Sequence, residues 1–370
     1  MTTNTAAWIN HKHARLETGA APYPEVGERQ ILVETSAVAI NPLDWIIQVE
    51  GNLTYGWLRY PTVLGADVGG EVVAVGGGVS RFTIGDRVVG LCVGTDKDRN
   101  RGAEGGFQQY VVLDERLSSP VAGGRSIEDA VTLPLAVSTA AAALFQPRHL
   151  GMPLPGAAPS PTREVVLVWG GSTSVGSQAI RLAVAAGYDV ISTASPRNFD
   201  HVSRLGAASV FDYRSPTVEA DVRAALAGRR FAGAVAIGQT GAPACVRIAG
   251  RSAGNRTVAI ATPPVSFATL ADGRLGERAR VTGRLIGSNV ALQVAARSRR
   301  VRLAYIWGSS IKNDGIGTYV FGSYLPTVLA DPEYRVSPAA TVAGHGLEAI
   351  QGAMDRQRAG VSAEKLVVTL

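Results

Sequence analysis

The segment that most restricts what this chain can become is Val165-Val-Leu-Val-Trp169, followed at once by Gly170-Gly171-Ser172-Thr173-Ser174-Val175-Gly176. Glu164–Trp169, in which five consecutive residues are apolar and three of those are valine, reads as a strand buried on both sides, as in a parallel sheet covered by helices on both faces. A helical pattern follows over Ser177–Ala186. A strand feeding a glycine-rich turn at a helix start aims backbone N–H groups and the positive end of the helix dipole at one spot, which suits a pyrophosphate. Against the spacing G-x-G-x-x-G, Gly171 and Gly176 hold the outer positions and Thr173 stands in the middle. The hydroxyls of Ser172, Thr173 and Ser174 are the expected replacement donors.

The rest of the chain is consistent with such a sheet. Strand-like runs at Tyr188–Thr193, Ala208–Phe211, Ala232–Ile237 and Arg256–Ala261 alternate with helical stretches at His201–Leu205 and Val218–Ala227. That rhythm predicts a doubly wound α/β fold. The region before it reads as β-rich. Gln30–Ile40, Asp67–Val75, Gly85–Gly90 and Phe107–Leu113 are strand-like and separated by turn signals, as in a compact β-barrel. Between the two regions, Ser138–Leu144 is Ala-rich and helical, and Met152–Thr162 is a Pro/Gly/Ala/Ser loop. The tail predicts a helix over Gly346–Arg358 and a strand over Lys365–Leu370.

At 370 residues, two domains are expected. The formal net charge is +6, the basic side is almost all Arg, and Lys occurs only at Lys12, Lys97, Lys312 and Lys365. No basic tract is interleaved with aromatics, so a nucleic-acid partner is not expected. The two cysteines, Cys92 and Cys245, lie in apolar runs and read as buried thiols, with a disulfide left open. No secretory leader is legible in residues 1–10, and no uninterrupted apolar run reaches the ~20 residues of a membrane helix. A cytoplasmic protein with no membrane partner is the expectation.

The end of the strand after the glycine loop discriminates between dinucleotides. An acid there would hold a ribose 2′-hydroxyl. The sequence reads Ser195-Pro-Arg197-Asn198, with no acid before Asp200. A hydroxyl, a guanidinium and an amide suit a 2′-phosphate, with Arg197 binding as a fork. NADPH is therefore expected over NADH.

These residues also carry a resemblance. The stretches Ala39-Ile-Asn-Pro-Leu-Asp44, Leu64-Gly-Ala-Asp-Val-Gly-Gly-Glu71, Gly85-Asp-Arg-Val88 and Leu133-Pro-Leu-Ala-Val-Ser-Thr139 are characteristic. So are Gly170-Gly-Ser-Thr173, Ser195–Asp200, Val210-Phe-Asp-Tyr213, Gly344-His-Gly-Leu347 and Val361–Val368. Over nearly its whole length the chain resembles the zinc-free medium-chain dehydrogenases/reductases, and within them the trans-acting enoyl reductases of fungal polyketide biosynthesis, the lovastatin enoyl reductase and ToxD-like group. The resemblance implies a GroES-like catalytic domain (residues 1–133 and 316–370) interrupted by a Rossmann domain (134–315), with the active site in the cleft between them. It implies NADPH, with Ser195, Arg197 and Tyr213 around the 2′-phosphate, and Asn198, Ile286 and Lys365 complete the expected cofactor set. Asn41 would shape the nicotinamide end and Thr139 would lie near it. Thr139 also reads as an ordinary cap at the start of the Ala-rich helix.

The implied chemistry is reduction of an activated C=C bond, in an enoyl thioester or enone, free or on a carrier protein, with a polyketide synthase as a partner and a monomer or homodimer as the assembly. No metal is expected: Gly65-Ala66-Asp67 lacks the histidine of metal-dependent relatives, and the five histidines show no ligand spacing. His345 reads as a capping or packing residue before a helix. The related enoyl reductases carry a lysine where this chain has Ile46, so the proton is expected from water or another hydroxyl, with Tyr55 the named candidate. A quinone oxidoreductase would differ only in substrate. A non-redox cyclase, isomerase or accessory binding partner is the reading Ile46 motivates. Arg297, Arg299, Arg300 and Arg302 read as a solvated basic face, with an acidic carrier protein as the other reading.

Overall fold

The computed structural model describes residues 3–51, 53–156, 160–270 and 275–370. Three residues of the Met152–Thr162 loop, 157–159, lie outside the described residues. In chain order the first strands are β1 (Asn4–Ile9), β2 (Leu16–Ala21), β3 (Gln30–Ala39), β4 (Thr62–Val63), β5 (Asp67–Val75), β6 (Arg87–Leu91), β7 (Tyr110–Asp114) and β8 (Ser118–Pro120). Then come β9 (Glu164–Trp169), β10 (Asp189–Ala194), β11 (Ser209–Asp212), β12 (Arg230–Ala236), β13 (Thr257–Ile260) and β14 (Arg302–Tyr305), and finally β15 (Ala339–His345) and β16 (Glu364–Thr369).

The chain divides into two units. The first comprises residues 1–135, 267–274 and 312–370, the second 136–266 and 275–311. In the first, a seven-stranded sheet has the order β15-β16-β3-β5-β6-β8, with β7 paired to β3, and a small sheet has the order β2-β1-β4. The last strand, β16, is thus an interior strand, parallel to β15 and antiparallel to β3. Ala39 of β3 faces Asp67 of β5 on one side and Val367 of β16 on the other. That register brings the start of β5, the end of β3 and the body of β16 together, and the candidate site of this unit is built there.

Asn41-Pro42 ends β3 and also opens a helix, Pro42–Glu50. Proline suits the first helical turn, where no intrahelical partner for its nitrogen is needed. The helix closes on Gly51, which adopts the left-handed conformation (φ +54°).

The second unit is the expected doubly wound sheet. Its six parallel strands run β11-β10-β9-β12-β13-β14, so the order reverses between β9 and β12. Ligands of open parallel sheets bind beyond the strand C-termini at such a reversal. Val165, Leu167 and Trp169 of β9 pack with Phe231, Val258 and Ile260 in one core. Each such side chain contributes roughly 1.5–3 kcal/mol on burial.

The Ala-rich helix runs from Pro134 to Phe145, so it begins four residues before Ser138. Thr139 is its sixth residue and not a cap. The stretch Ile127–Phe145 has the length and hydropathy of a membrane span, but 83% of it is buried within the protein. Cys92 and Cys245 are buried free thiols. His345 ends β15 and does not cap a helix; its Nδ1 lies 2.5 Å from the Thr369 hydroxyl.

Candidate functional site

Two groups of residues carry chemistry, one in each unit. In the second unit, β9 ends at Trp169 and the chain turns at Gly170 (φ +90°), a backbone conformation that favours glycine. The helix Ser174–Ala185 starts immediately. A Cβ on Gly176 would stand 2.2 Å from the carbonyl oxygen of Gly170, so only glycine lets helix and strand approach this closely. The amides of Ser174 and Val175, in the first helical turn, have no intrahelical acceptor and point along the dipole.

The structure corrects the expected role of Thr173. Its hydroxyl donates to the Gly170 carbonyl (2.8 Å) and accepts from the Gly176 N–H (3.0 Å), making it the N-cap of the helix. Its proton is used inside the loop. That leaves Ser172, Ser174 and the backbone to face a phosphate.

The next two strands end beside this loop. Ala194 of β10 pairs with Asp212 of β11, so Ser195 and Tyr213 follow the C-terminal ends of neighbouring strands. Pro196–Asn198 form a single 3-10 turn. Arg197 is exposed, Ser195 and Tyr213 are half-buried, and Asn198 is buried. The guanidinium of Arg214 lies 5.1 Å from the centre of the Tyr213 ring. From β11 to β9, the sheet therefore presents Tyr213, then Ser195 and Arg197, then Gly170–Gly176 along one edge. These residues fit the adenosine half of a nicotinamide dinucleotide, with the glycine turn and first-turn amides facing a pyrophosphate; after β10 the chain offers a guanidinium and no acid before Asp200. Ile286 is 60% exposed on the helix Leu275–Ser298, with Val290 and Val294 exposed one and two turns on.

In the first unit, Asn41, Asp44, Asp67 and Lys365 form a buried polar cluster, none more than 4% exposed. Asn41 Nδ2 donates to Asp67 Oδ2 (2.9 Å) and to the Ala39 carbonyl (3.2 Å). Lys365 Nζ donates to Asn41 Oδ1 and lies 3.0 Å from Asp67 Oδ2. The other oxygen of Asp67 accepts the Leu135 N–H at 2.6 Å. Asp44, one turn into the Pro42–Glu50 helix, accepts the Asn41 N–H at 2.7 Å. Two carboxylates here share one ammonium. Burial, with Asp67 adding to it, pushes the Asp44 carboxyl up to about 7.

Lys365, expected among the cofactor contacts, lies beside the catalytic candidate Asn41, and its ammonium meets Asn41 and Asp67. Nothing in the sequence pairs these residues: Asn41 and Lys365 are 324 positions apart. Ile46 is half-buried in the helix that Asn41 opens.

Tyr55 is 4% exposed and packs against Trp57, with ring centres 5.3 Å apart and the rings tilted by 49°. Burial first, then the negative charges of Asp96, Glu50 and Asp44, hold its phenol well above the ordinary value. It therefore keeps its proton through the physiological range. Nearby, Trp57 Nε1 donates to the Thr95 carbonyl (3.0 Å), and Asp96 pairs with the buried Lys312, which also lies 2.8 Å from Asp98. The Lys312–Asp96 pair was not anticipated, and no spacing in the sequence announces it. Among the described residues, no group of three or more His, Cys, Asp or Glu is arranged to hold a metal ion.

Comparison with known proteins agrees with this architecture. Residues 27–122 match the alcohol dehydrogenase GroES-like domain. The chain is 45% identical to dehydrogenase pigH of Monascus ruber, over all of both chains. It is 33% identical to trans-enoyl reductase himH of Aspergillus japonicus, over 99% of this chain and 97% of that one. Among solved structures, mycobacterial Rv1454c complexed with NADPH shares the fold, with a TM-score of 0.67 and 21% identity over 99% of this chain and 100% of that one. A GroES-like unit, a doubly wound parallel unit and relatives matched end to end have one common explanation: the chain belongs to the medium-chain dehydrogenase/reductase family of oxidoreductases.

Proposed function

We propose that this protein uses NADPH to reduce an activated C=C bond, in an enoyl thioester or an enone, within polyketide or related secondary metabolism. The observation that carries the cofactor choice is the strand edge of the second unit, where Ser195, Arg197 and Tyr213 follow β10 and β11 with no acid after β10. The relative named as a trans-enoyl reductase supports the reaction class. A polyketide synthase as the source of a carrier-bound substrate and a cytoplasmic location belong to the same reading.

When bound, NADPH supplies a hydride for the β-carbon of the acceptor. The amides of Ser174 and Val175 and the Arg197 guanidinium would hold its phosphates. Asn41, fixed from one side by Asp67 and from another by Lys365, keeps a single side-chain orientation and shapes the nicotinamide end. The substrate then carries enolate charge, which needs preorganised donors, and Thr139 is the side chain assigned there. A proton must finally reach the α-carbon. Tyr55, protonated and buried, is assigned that transfer, with water restoring its proton. Metal-free operation is supported by the donor set of the first unit: the cation between Asn41 and Asp67 is the Lys365 ammonium.

The test is loss of nicotinamide absorbance with purified protein, NADPH and a panel of enones, enoyl thioesters and quinones. Turnover of enoyl substrates is expected. Tight NADPH binding with no turnover across the panel would favour the second reading, a non-redox cyclase, isomerase or binding partner, which rests on Ile46 standing where related enoyl reductases carry an amine. Turnover of quinones alone would make it a quinone oxidoreductase.

A further inference from the structure

We propose that the arginine-rich end of the second unit, where its parallel strands begin, is a docking surface for an acidic helical protein of the acyl-carrier type. The proposal extends the reductase reading by naming the partner surface. The fold gathers Arg223, Arg251, Arg256, Arg299, Arg300 and Arg302 there from three separate segments of chain. They line or border two adjoining recesses of about 610 and 700 Å³ that share Arg251.

Three other arginines at this end are neutralised: Arg229 by Asp189, Arg230 by Glu164 (2.8 Å) and Arg247 by Glu219 (2.5 Å). Among the described residues these are the ion pairs at this end, and the six arginines named above take no part in them. The donors of three of those six go to neutral acceptors. Arg256 Nε bonds the Ser252 carbonyl (3.0 Å), Arg299 Nη1 bonds the Ala295 carbonyl (3.1 Å), and Arg302 bonds the Thr257 hydroxyl (3.1 Å) and the His149 carbonyl. Such bonds orient a guanidinium and leave its charge in place. The stem of Arg299 lies over Gly250, where a Cβ would come within 2.7 Å, so its head is carried outward on a packed base.

A concentration of fixed, unneutralised guanidinium groups attracts carboxylates and binds them as forks. Two features select a protein as the occupant. No aromatic ring lines either recess, so unpaired bases would have nothing to stack on. The larger recess is floored by Leu226, Ala227 and Ala253, which suit an apolar side chain between acids on a helix. The surface lies at the opposite end of β9 from the glycine loop, about 20 Å along a six-residue strand. A carrier held there leaves the nucleotide end uncovered, so this contact recruits the partner and must be released before a carrier-bound chain is presented at that end.

The experiment uses the full chain, a fluorescein-labelled acidic acyl carrier protein in its apo form, and fluorescence anisotropy at low and high salt. Arg251→Glu/Arg299→Glu/Arg300→Glu is compared with a control of equal charge change, Arg59→Glu/Arg280→Glu/Arg284→Glu, with circular dichroism confirming that both fold. The recess variant is expected to weaken binding at least ~10-fold, the control less than ~3-fold, and high salt is expected to weaken wild-type binding. Absence of binding to the wild-type chain, equal loss in both variants, or binding of a heparin fragment as tight as that of the carrier protein would overturn the proposal. Turnover of a small free enone is read in parallel and is expected to be unchanged in the recess variant. No turnover with intact, variant-sensitive carrier binding would sink the reductase reading alone, and turnover without carrier binding would sink the docking surface alone.

Discussion

The ammonium of Lys365 lies 3.0 Å from the carboxylate of Asp67 and also donates to the Asn41 side chain, inside a cluster almost closed to water. A charge in such a place is costly alone and tolerable in company. The cluster therefore makes a sharp statement about substitution.

Lys365→Met removes the cation and leaves Asp67 buried without it. A loss of roughly 3–5 kcal/mol in unfolding free energy is expected, read by chemical denaturation. Adding Asp67→Asn to the same chain should recover part of that loss, because the two residues form one network. Strictly additive destabilisation would contradict the pairing.

Asp44 sets the sign of a pH effect. Its carboxyl is raised from 3.8 to about 7, so the folded state binds a proton that the unfolded chain has already released. Stability therefore falls as pH rises from about 4 to about 7, and the penalty persists above. Asp44→Asn keeps an oxygen to accept the Asn41 N–H and removes the charge. It is expected to stabilise the protein by about 1 kcal/mol or more near pH 8 and to change little near pH 4. Equal effects at both pH values would show that ionisation is not the cause.

Gly176→Ala places a methyl 2.2 Å from a backbone oxygen. The helix must move away from β9 and carry its first-turn amides with it. NADPH affinity, measured by nucleotide fluorescence, is expected to fall at least ~10-fold, with a drop in thermal stability.

Arg197→Ala should separate the two nicotinamide dinucleotides. Losing a charge-assisted fork to a phosphate costs about 1.5–3 kcal/mol, so the NADPH dissociation constant should rise roughly 10- to 100-fold while that for NADH stays within about threefold. A parallel loss for both would remove Arg197 from the 2′-phosphate.

Tyr55→Phe keeps the ring that packs against Trp57 and deletes the proton. If the phenol protonates the α-carbon, kcat on an enoyl substrate should fall by about 10²- to 10⁴-fold with NADPH affinity unchanged. A near-normal kcat would return the proton to water.

The second unit was legible because burial on both sheet faces writes itself as unbroken apolar runs. Glu164–Trp169 is a strand over the residues read from its sequence, and most neighbouring elements differ by one to three positions. The helix Pro42–Glu50 was not read, because Asn-Pro ends a strand and opens a helix with the same two residues. The helix Leu275–Ser298 was hidden by Gly276, Gly283 and Gly287 and by apolar residues that face outward, at Ile286, Val290 and Val294. The glycine loop and Ser195–Tyr213 edge could be found from sequence because they are local motifs. The hydroxyl of Thr173 was misjudged, since its acceptor and donor lie within its own turn. The Asn41–Asp67–Lys365 contact had no signature, since sheet register and not spacing creates it.

The interior position of β16 bears on how the protein is made. A ribosome has emitted the whole second unit, which is nearly contiguous, before the strand carrying Lys365 exists. Until then β3 lacks a neighbour and Asp67 has no counter-ion, so the earlier-born sheet must wait, incomplete, while the later-born one can already be folding.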